Sequence, residues 1–192
     1  MRRRFCILVA LLSPALVSAG PADDGRWYAG AYSFSDERGG FHILSVSGIG
    51  TKTDPIEITE EFYSASPVTL VIRAAGPARQ GAPAEGTIHL RIVAHNESGA
   101  AWIEFEFELQ EIRGKPSDFY DGLSFDQTNP NPDFIRSSRF ARFETQFESF
   151  DRLRFTDGYV DPRTSASFGF FVTDVTPVGE FYLVQDPRIP ST

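Results

Sequence analysis

The chain has 192 residues, of which 26 are acidic and 18 are basic, and its formal net charge is −8. This acidic balance disfavours nucleic acid and anionic lipid as partners, because both carry negative charge. A single cysteine excludes an internal disulfide, so the hydrophobic core must stabilise the fold. The 18 phenylalanines can supply the core of one domain of this size.

Residues 1–19 predict a secretory signal peptide. Three arginines precede an apolar run from Phe5 to Leu12, and Val17 to Ala19 end in the small residue that signal peptidases prefer. The run is shorter than the ~20 residues of a membrane-spanning helix, and Cys6 lies too early to become a lipidated first residue. We therefore expect a secreted or periplasmic domain of residues 20–192, with no membrane anchor. Cleavage removes three basic residues and no acidic ones, which makes the net charge −11.

Alternation of apolar and polar residues dominates the rest of the chain, and Gly and Pro divide it into short segments. This pattern predicts an all-β fold, a single antiparallel β-sandwich. Residues 74–86, AAGPARQGAPAEG, predict a surface loop within it. The predicted strands run from Trp27 to Phe34, Phe41 to Ser47, Ile56 to Phe62, Val68 to Ala74, Thr87 to His95, Trp102 to Ile112, Arg152 to Thr156, Ser165 to Val172 and Phe181 to Gln185.

Residues 95–102, HNESGAAW, predict a turn between the fifth and sixth of these strands. Asn96 and Gly99 suit the first and last positions of a type I turn. In the resulting hairpin, Leu90 lies opposite Phe105 on the apolar face. A shift of one residue would place apolar side chains opposite charged ones, so the register is well specified. The alternating glutamates are then expected on a solvated sheet face.

Trp102, Glu104 and Glu106 are the candidate ligand-binding residues. The polar face of the hairpin would expose Trp102 as a platform for a sugar ring, with the glutamates beside it. The same run is also typical of a solvated strand face that carries no site. The alternating glutamates further resemble the paired carboxylates of retaining β-glucan hydrolases, with Glu where their central Asp would be. The alternative function is therefore a surface-polysaccharide hydrolase that uses the glutamates of the Trp102–Ile112 strand.

The long segment SDFYDGLSFDQTNPNPDF, residues 117–134, predicts a loop that could bind Ca²⁺. Carboxylate and amide oxygens are the ligands that Ca²⁺ prefers. Pro130 and Pro132 interrupt the spacing of an EF-hand, so the loop is not one. The alternative to a calcium site is a solvated loop that these prolines stiffen. The candidate metal ligands are Asp118, Asp121, Asp126, Asn129, Asn131 and Asp133.

The segment from Phe134 to Phe150 allows two interpretations. Phe140, Phe143, Phe147 and Phe150 recur at spacings of three and four residues, which predicts one face of a short amphipathic helix lying on the sandwich. Aromatic residues are also good strand formers, so a β-hairpin is the competing prediction.

Familiar catalytic motifs are missing from the sequence, which has no G-x-S-x-G, no H-E-x-x-H and no glycine-rich loop that leads into a helix. The predicted strands place no nucleophile or orienting acid beside His42, His89 or His95. The sequence therefore favours a protein without enzymatic activity.

Two parts of the chain resemble exported bacterial β-sandwich proteins, many of which carry a C-terminal PEP-CTERM sorting tail. The parts are residues 88–109, IHLRIVAHNESGAAWIEFEFEL, and residues 153–190, LRFTDGYVDPRTSASFGFFVTDVTPVGEFYLVQDPRIP. The last residues, 186–192, lack the membrane segment and basic end of such a tail. The resemblance implies a freely released extracellular or periplasmic domain, and it implies no known reaction.

The sequence thus predicts an exported, non-enzymatic binding or matrix-associated module. Its expected partner is a carbohydrate or another extracellular protein. Ca²⁺ is the one candidate cofactor, and it depends on the loop described above.

Overall fold

The computed structural model describes residues 20–75, 86–118, 121–125, 134–145, 150–174 and 178–190. These residues form β-strands and their connections, and they contain no helix long and apolar enough to cross a membrane. The strands make two sheets packed face to face, so the prediction of an all-β sandwich is confirmed. The predicted signal peptide, residues 1–19, lies outside the described residues, and export stays a prediction.

The first sheet, sheet 1, is antiparallel throughout its described strands. From one edge to the other it contains β1 (Trp27–Ala29), β2 (Tyr32–Ser35), β5 (Val68–Ala74), β13 (Glu180–Arg188), β7 (Glu104–Gln110), β11 (Arg152–Gly158) and β10 (Phe140–Glu144).

The second sheet, sheet 2, contains one parallel pair, β4 with β6, which the prediction of an antiparallel sandwich did not include. Parallel neighbours need a crossover connection, and β5 supplies it by lying in sheet 1 between them in sequence. In order, sheet 2 contains β3 (Phe41–Ser47), β4 (Ile56–Phe62), β6 (Thr87–Asn96), β12 (Ser165–Asp174) and β8 (Leu123–Ser124), with β9 (Arg136–Ser137) also paired to β12.

Phenylalanine rings from both sheets fill the space between them. The Phe105 ring of sheet 1 lies 4.6 Å, centroid to centroid, from the Phe168 ring of sheet 2. Phe107 and Phe170 form a similar pair at 4.8 Å, and Phe155 lies 5.0 Å from Phe168. All five side chains are buried. Tilted and edge-to-face rings at these distances attract each other in addition to the hydrophobic effect.

The predicted hairpin between residues 87–95 and 102–112 is wrong, because β6 and β7 lie in different sheets. β6 pairs with β4 and β12, whereas β7 pairs with β11 and β13. Leu90 and Phe105 both face the core, as predicted, but they do so from opposite sides of it. Alternation determines which face of a strand is buried and leaves the pairing partner undetermined.

Asn96 explains why the chain crosses between the sheets at this point. Its side chain is fully buried, and its Nδ2 donates to the carbonyl oxygens of Ala100, at 2.8 Å, and Val160, at 2.9 Å. Its Oδ1 accepts from the amide and the hydroxyl of Ser98. These bonds hold the connection against the segment between β11 and β12, so Asn96 anchors a crossover instead of opening a hairpin turn.

The helix predicted for residues 134–150 is wrong over residues 134–145, where the chain forms β9 and β10; residues 146–149 lie outside the described part. Strands form here, as the competing prediction expected, but β9 pairs with β12 and β10 with β11, both outside residues 134–150, and not with each other in a hairpin. Phe140 is buried, and its ring stacks on Phe168 at 5.9 Å. A Cβ on Gly158 would meet the carbonyl oxygen of Arg139 at 2.0 Å, so the close approach of these two strands needs glycine. Strand pairing therefore overrides the helical spacing of the phenylalanines.

Candidate ligand-binding cleft

Trp102 is not an exposed platform. Its side chain is 0% exposed and packs against the rings of Phe62, at 5.4 Å, and Phe105, at 5.5 Å. Its indole Nε1 donates to the hydroxyl of Ser98 at 3.2 Å. A backbone bridge to Val160 closes this end of the sandwich over the ring. The predicted sugar platform is therefore wrong, and Trp102 belongs to the core.

Glu106 lies on the outer face of sheet 1, but it is not solvated as predicted. It is 5% exposed, and its Oε2 lies 2.8 Å from Nε of Arg154 and its Oε1 3.2 Å from Nη2 of Arg188. Glu108 binds Arg152 in the same way, with 2.6 Å between Oε2 and Nε. Pairing with arginine compensates the burial of a carboxylate. These cross-strand ion pairs give the alternating glutamates a structural role.

Glu104 is half-buried and lies opposite Arg188 of β13 in the register of sheet 1. The register of the predicted hairpin would place Arg91 opposite Glu104, but Arg91 is in sheet 2, where its Nη1 lies 3.3 Å from Oε2 of Glu57. The three candidate ligand-binding residues therefore do not form a common site, because Trp102 faces the core while Glu104 and Glu106 face outward.

The described part of the predicted calcium loop contains two of its six candidate ligands. Asp121 closes a local turn, since its Oδ2 accepts from the amide of Asp118 at 3.1 Å and its Oδ1 from the amide of Leu123 at 3.0 Å. Within the described residues, no three His, Cys, Asp or Glu side chains converge to hold a metal ion. The other candidates lie outside the described residues; they are Asp126, Asn129, Asn131 and Asp133.

Calcium binding by this loop therefore stays a prediction. Excess Ca²⁺ should raise the melting temperature, with about 2.7 kcal/mol of stabilisation at a hundredfold excess over Kd. Asp126→Asn combined with Asp133→Asn should abolish that gain, because both lost charges would face the cation. Thermal unfolding with Ca²⁺ and with a chelator measures the difference, and an unchanged melting temperature at millimolar Ca²⁺ would contradict the prediction.

An open cleft of about 430 Å³ lies on the outer face of sheet 2. Its floor is formed by outward-facing positions of β6 and β12, namely His89, Arg91, Ser167 and Gly169. β9 and its neighbours form one wall, and the connection between β3 and β4 forms the other. The wall residues are Phe134, Arg136, Ser137, Ser138, Lys52 and Pro55.

Aromatic rings line one side of the cleft. The ring of His89 lies 5.6 Å from that of Phe134 and 5.3 Å from that of Phe171, and the two phenylalanine rings are 5.7 Å apart. Lys52 Nζ lies 4.4 Å from the centroid of Phe134, close enough for a cation–π interaction. Burial lowers the pKa of His89, and the charge of Lys52 lowers it further. The imidazole is therefore neutral at pH 7, with one nitrogen donating and one accepting.

Gly169 keeps the floor of the cleft open. A Cβ at this position would lie 3.4 Å from Cγ and 3.6 Å from Nε of Arg136. The Arg136 side chain thus runs along the space that a larger residue at 169 would fill. Ser138 Oγ accepts from the amide of Ser167 at 2.9 Å, and within the described part of the chain no acceptor takes its own hydrogen, which can donate to a ligand.

The charge of the cleft differs from that of the whole chain. Lys52, Arg91 and Arg136 line it, and no aspartate or glutamate does so among the described residues. Arg91 is paired with Glu57, but no described carboxylate lies within 4.0 Å of Lys52 Nζ or of the Arg136 guanidinium. The cleft combines cations, hydroxyls and an aromatic wall, which are groups that bind polar ligands with some apolar surface.

Neither a protein-family model nor a curated protein matches this chain. The fold defines a β-sandwich with a basic, partly aromatic cleft on one outer face, and the geometry of that cleft is the basis for a functional assignment.

Sequence reasoning missed this cleft because its residues come from four separate segments. The register of the predicted hairpin would place His89 opposite Glu106 on the polar face, but Glu106 lies in the other sheet. A glycine within a strand marks a place where another group approaches the backbone, and Gly169 in SASFGFFVTD is such a signal. The position of Arg136 above it follows only from the pairing of β9 with β12.

Proposed function

We propose that the protein is an exported, non-enzymatic binding module that holds a carbohydrate in the cleft on sheet 2. The observation that supports this function best is the juxtaposition of the aromatic wall with serine hydroxyls and cations around an open floor. The volume of the cleft lies within the range of small-molecule sites, roughly 300–1,000 Å³. Export is proposed on the basis of the signal peptide that the sequence of residues 1–19 predicts.

A sugar matches both kinds of surface in this cleft. The C–H faces of a pyranose ring pack against aromatic side chains such as Phe134, and its hydroxyls can bond to Ser138, His89 and Arg136. A protein partner would need a larger and flatter contact, about 800 Å² on each side. The concave shape of the cleft therefore favours a carbohydrate over the other expected partner, an extracellular protein.

The alternative, a polysaccharide hydrolase, gains no support from the described residues. A glycosidase needs one carboxyl group that protonates the leaving oxygen and another that attacks or activates water. Glu106 and Glu108 are instead bound to Arg152, Arg154 and Arg188. Nothing in this arrangement favours a catalytic role.

Gly169→Leu tests the proposed site. The added side chain extends outward from β12 into the cleft, so we expect it to abolish carbohydrate binding. The backbone of Gly169 is not in the left-handed region, so it accepts a residue with a side chain, and the flexible Arg136 side chain would have to move aside. Screening wild-type protein on an array of neutral and acidic glycans, followed by calorimetric titration of the best oligosaccharide, measures the loss.

Tyr159→Ala is the matched control, because Tyr159 is exposed and does not line the cleft. The carbohydrate affinity of the Tyr159→Ala variant should equal that of the wild type. If wild-type protein binds no glycan of either charge, or if Gly169→Leu binds as tightly as the wild type, the proposed function is wrong.

A further inference from the structure

We propose that the ligand is an acidic polysaccharide, and that Lys52 and Arg136 bind its anionic groups. This inference rests on the proposed function, because it specifies the substrate class of the same cleft. The inference depends on two observations: Lys52 and Arg136 line the cleft, and neither is paired with a described carboxylate.

The first argument is the contrast between this cleft and the outer face of sheet 1. There, Arg152 and Arg154 are each paired with a glutamate on the neighbouring strand. In the cleft, no described carboxylate pairs with Lys52 or Arg136, although acidic residues outnumber basic ones in the chain. Unpaired cations that meet in a cavity repel each other, and an anionic ligand removes that repulsion.

The second argument is the position of the two cations. Arg136 lines the cleft, and its Cγ and Nε lie beside the backbone of Gly169 on the floor, which places the guanidinium group within reach of a ligand in the cleft. Lys52 belongs to the opposite wall, and its ammonium group reaches across the cleft to lie 4.4 Å from the centroid of the Phe134 ring. A planar guanidinium can bind both oxygens of a carboxylate or sulfate group, and an ammonium can bind a second group as a point charge.

The third argument selects a polysaccharide over a nucleic acid. A phosphate chain carries a charge on every unit, and a protein with an acidic surface repels it outside the cleft. An acidic glycan carries its charges on sugar rings, whose uncharged C–H faces can pack against the His89 and Phe134 rings. Both features of the cleft therefore suit such a glycan, and an oligonucleotide, whose bases can also stack on aromatic rings, is the competing ligand in the test.

Calorimetric titration with oligogalacturonate and with its methyl ester tests the proposal, because esterification removes the charge and keeps the sugar. We expect the acid to bind at least tenfold more tightly than the ester, and its affinity to fall as salt is added. Lys52→Gln and Arg136→Gln should each weaken binding of the acid by about tenfold and should weaken binding of the ester much less, because the ester lacks the anionic groups. A sulfated galactan and its desulfated form distinguish a sulfate ligand from a carboxylate.

Arg142→Gln is the matched control, since Arg142 is an exposed arginine on β10 that does not line the cleft. It should bind like the wild type. If the acid and the ester bind equally and the Lys52 and Arg136 variants match the wild type, the anionic ligand is refuted while the carbohydrate site stands. Binding of no glycan at all refutes both proposals. Tighter binding of a single-stranded oligonucleotide, lost in Gly169→Leu, would replace the polysaccharide with a nucleic acid.

Discussion

Replacing Glu60 with glutamine should stabilise the protein above neutral pH and flatten the dependence of its stability on pH. Glu60 lies on β4, is 0% exposed and points between the sheets, where its Oε2 accepts from Nε2 of Gln185 at 2.7 Å. Burial, the main cause, raises the pKa of Glu60 to about 8; the bond from Gln185 opposes this rise and the charge of Asp36 adds to it. The carboxyl group is therefore protonated in the folded protein at neutral pH.

A proton on Glu60 also explains two oxygens that otherwise lack partners. Among the described residues, Glu60 Oε1 and Gln185 Oε1 are buried without a hydrogen bond if the carboxyl group is ionised. A protonated carboxyl can donate to the Gln185 oxygen, and glutamine at position 60 can donate from its amide in the same place. The variant should therefore keep the contact between the sheets and remove the ionisable group.

The sign of the pH effect follows from the raised pKa. In the unfolded chain the pKa of Glu60 is near its ordinary value of 4.5, so the unfolded state loses the proton first as pH rises. The stabilisation is complete below about pH 4.5, decreases above it and is lost as pH passes through about 8. Each unit of pKa difference corresponds to about 1.4 kcal/mol, so the wild type should lose a few kcal/mol over this range.

Urea unfolding of the wild type and of Glu60→Gln at a series of pH values measures this difference. Glu61→Gln is the control. It removes the same ionisable group from the same strand, but Glu61 lies on the outward face of that strand. It should keep the pH dependence of the wild type. If Glu60→Gln keeps it as well, Glu60 is ionised in the folded protein and our account of the pair is wrong.

Trp102→Ala should lower the free energy of unfolding by about 3–5 kcal/mol, the usual cost of removing a large buried aromatic side chain. The indole is fully buried between Phe62 and Phe105, and its loss would leave a cavity at the end of the sandwich. The backbone bridge to Val160 would remain, so the chain should still cross between the sheets at this point. Chemical denaturation provides the measurement.

Tyr159→Ala serves as the control for this effect, since Tyr159 is 62% exposed and adjoins the bridge to Trp102. Its free energy of unfolding should change by about 0.5 kcal/mol or less. A Trp102→Ala protein that is as stable as the control, yet has lost carbohydrate binding, would restore the interpretation of Trp102 as a sugar platform.

Several strands were predictable to the residue. β3, β4 and β5 begin and end where the alternation and the flanking Gly, Pro and Ser residues place them. In β4, IEITEEF, the buried residues Ile56, Ile58 and Phe62 mark the inward face, and Glu60 lies at the same spacing. The burial of Glu60 was thus also marked in the sequence. Its partner was not, because Gln185 is 125 residues away.

The candidate site shows the opposite case. Trp102 and Glu106 were singled out because they share one short run, yet one is in the core and the other is covered by arginines from β11 and β13. The cleft instead combines residues from β6, β9, β12 and the connection between β3 and β4. No single segment of the sequence contains enough of these residues to suggest a site.

The amino-acid sequence by itself determined the all-β class and the buried face of most strands, because alternation with a period of two acts within a strand and needs no partner. Only the tertiary structure decided which strands pair. β6 pairs with β4 and β12 instead of with β7, since amphipathic strands can bury the same face against many partners and contacts between distant residues select one. The pairing of β9 with β12 brings Gly169 beneath Arg136, and the packing of the two sheets brings Glu60 against Gln185, so that tertiary contacts create both the cleft and the ionisable group in the core.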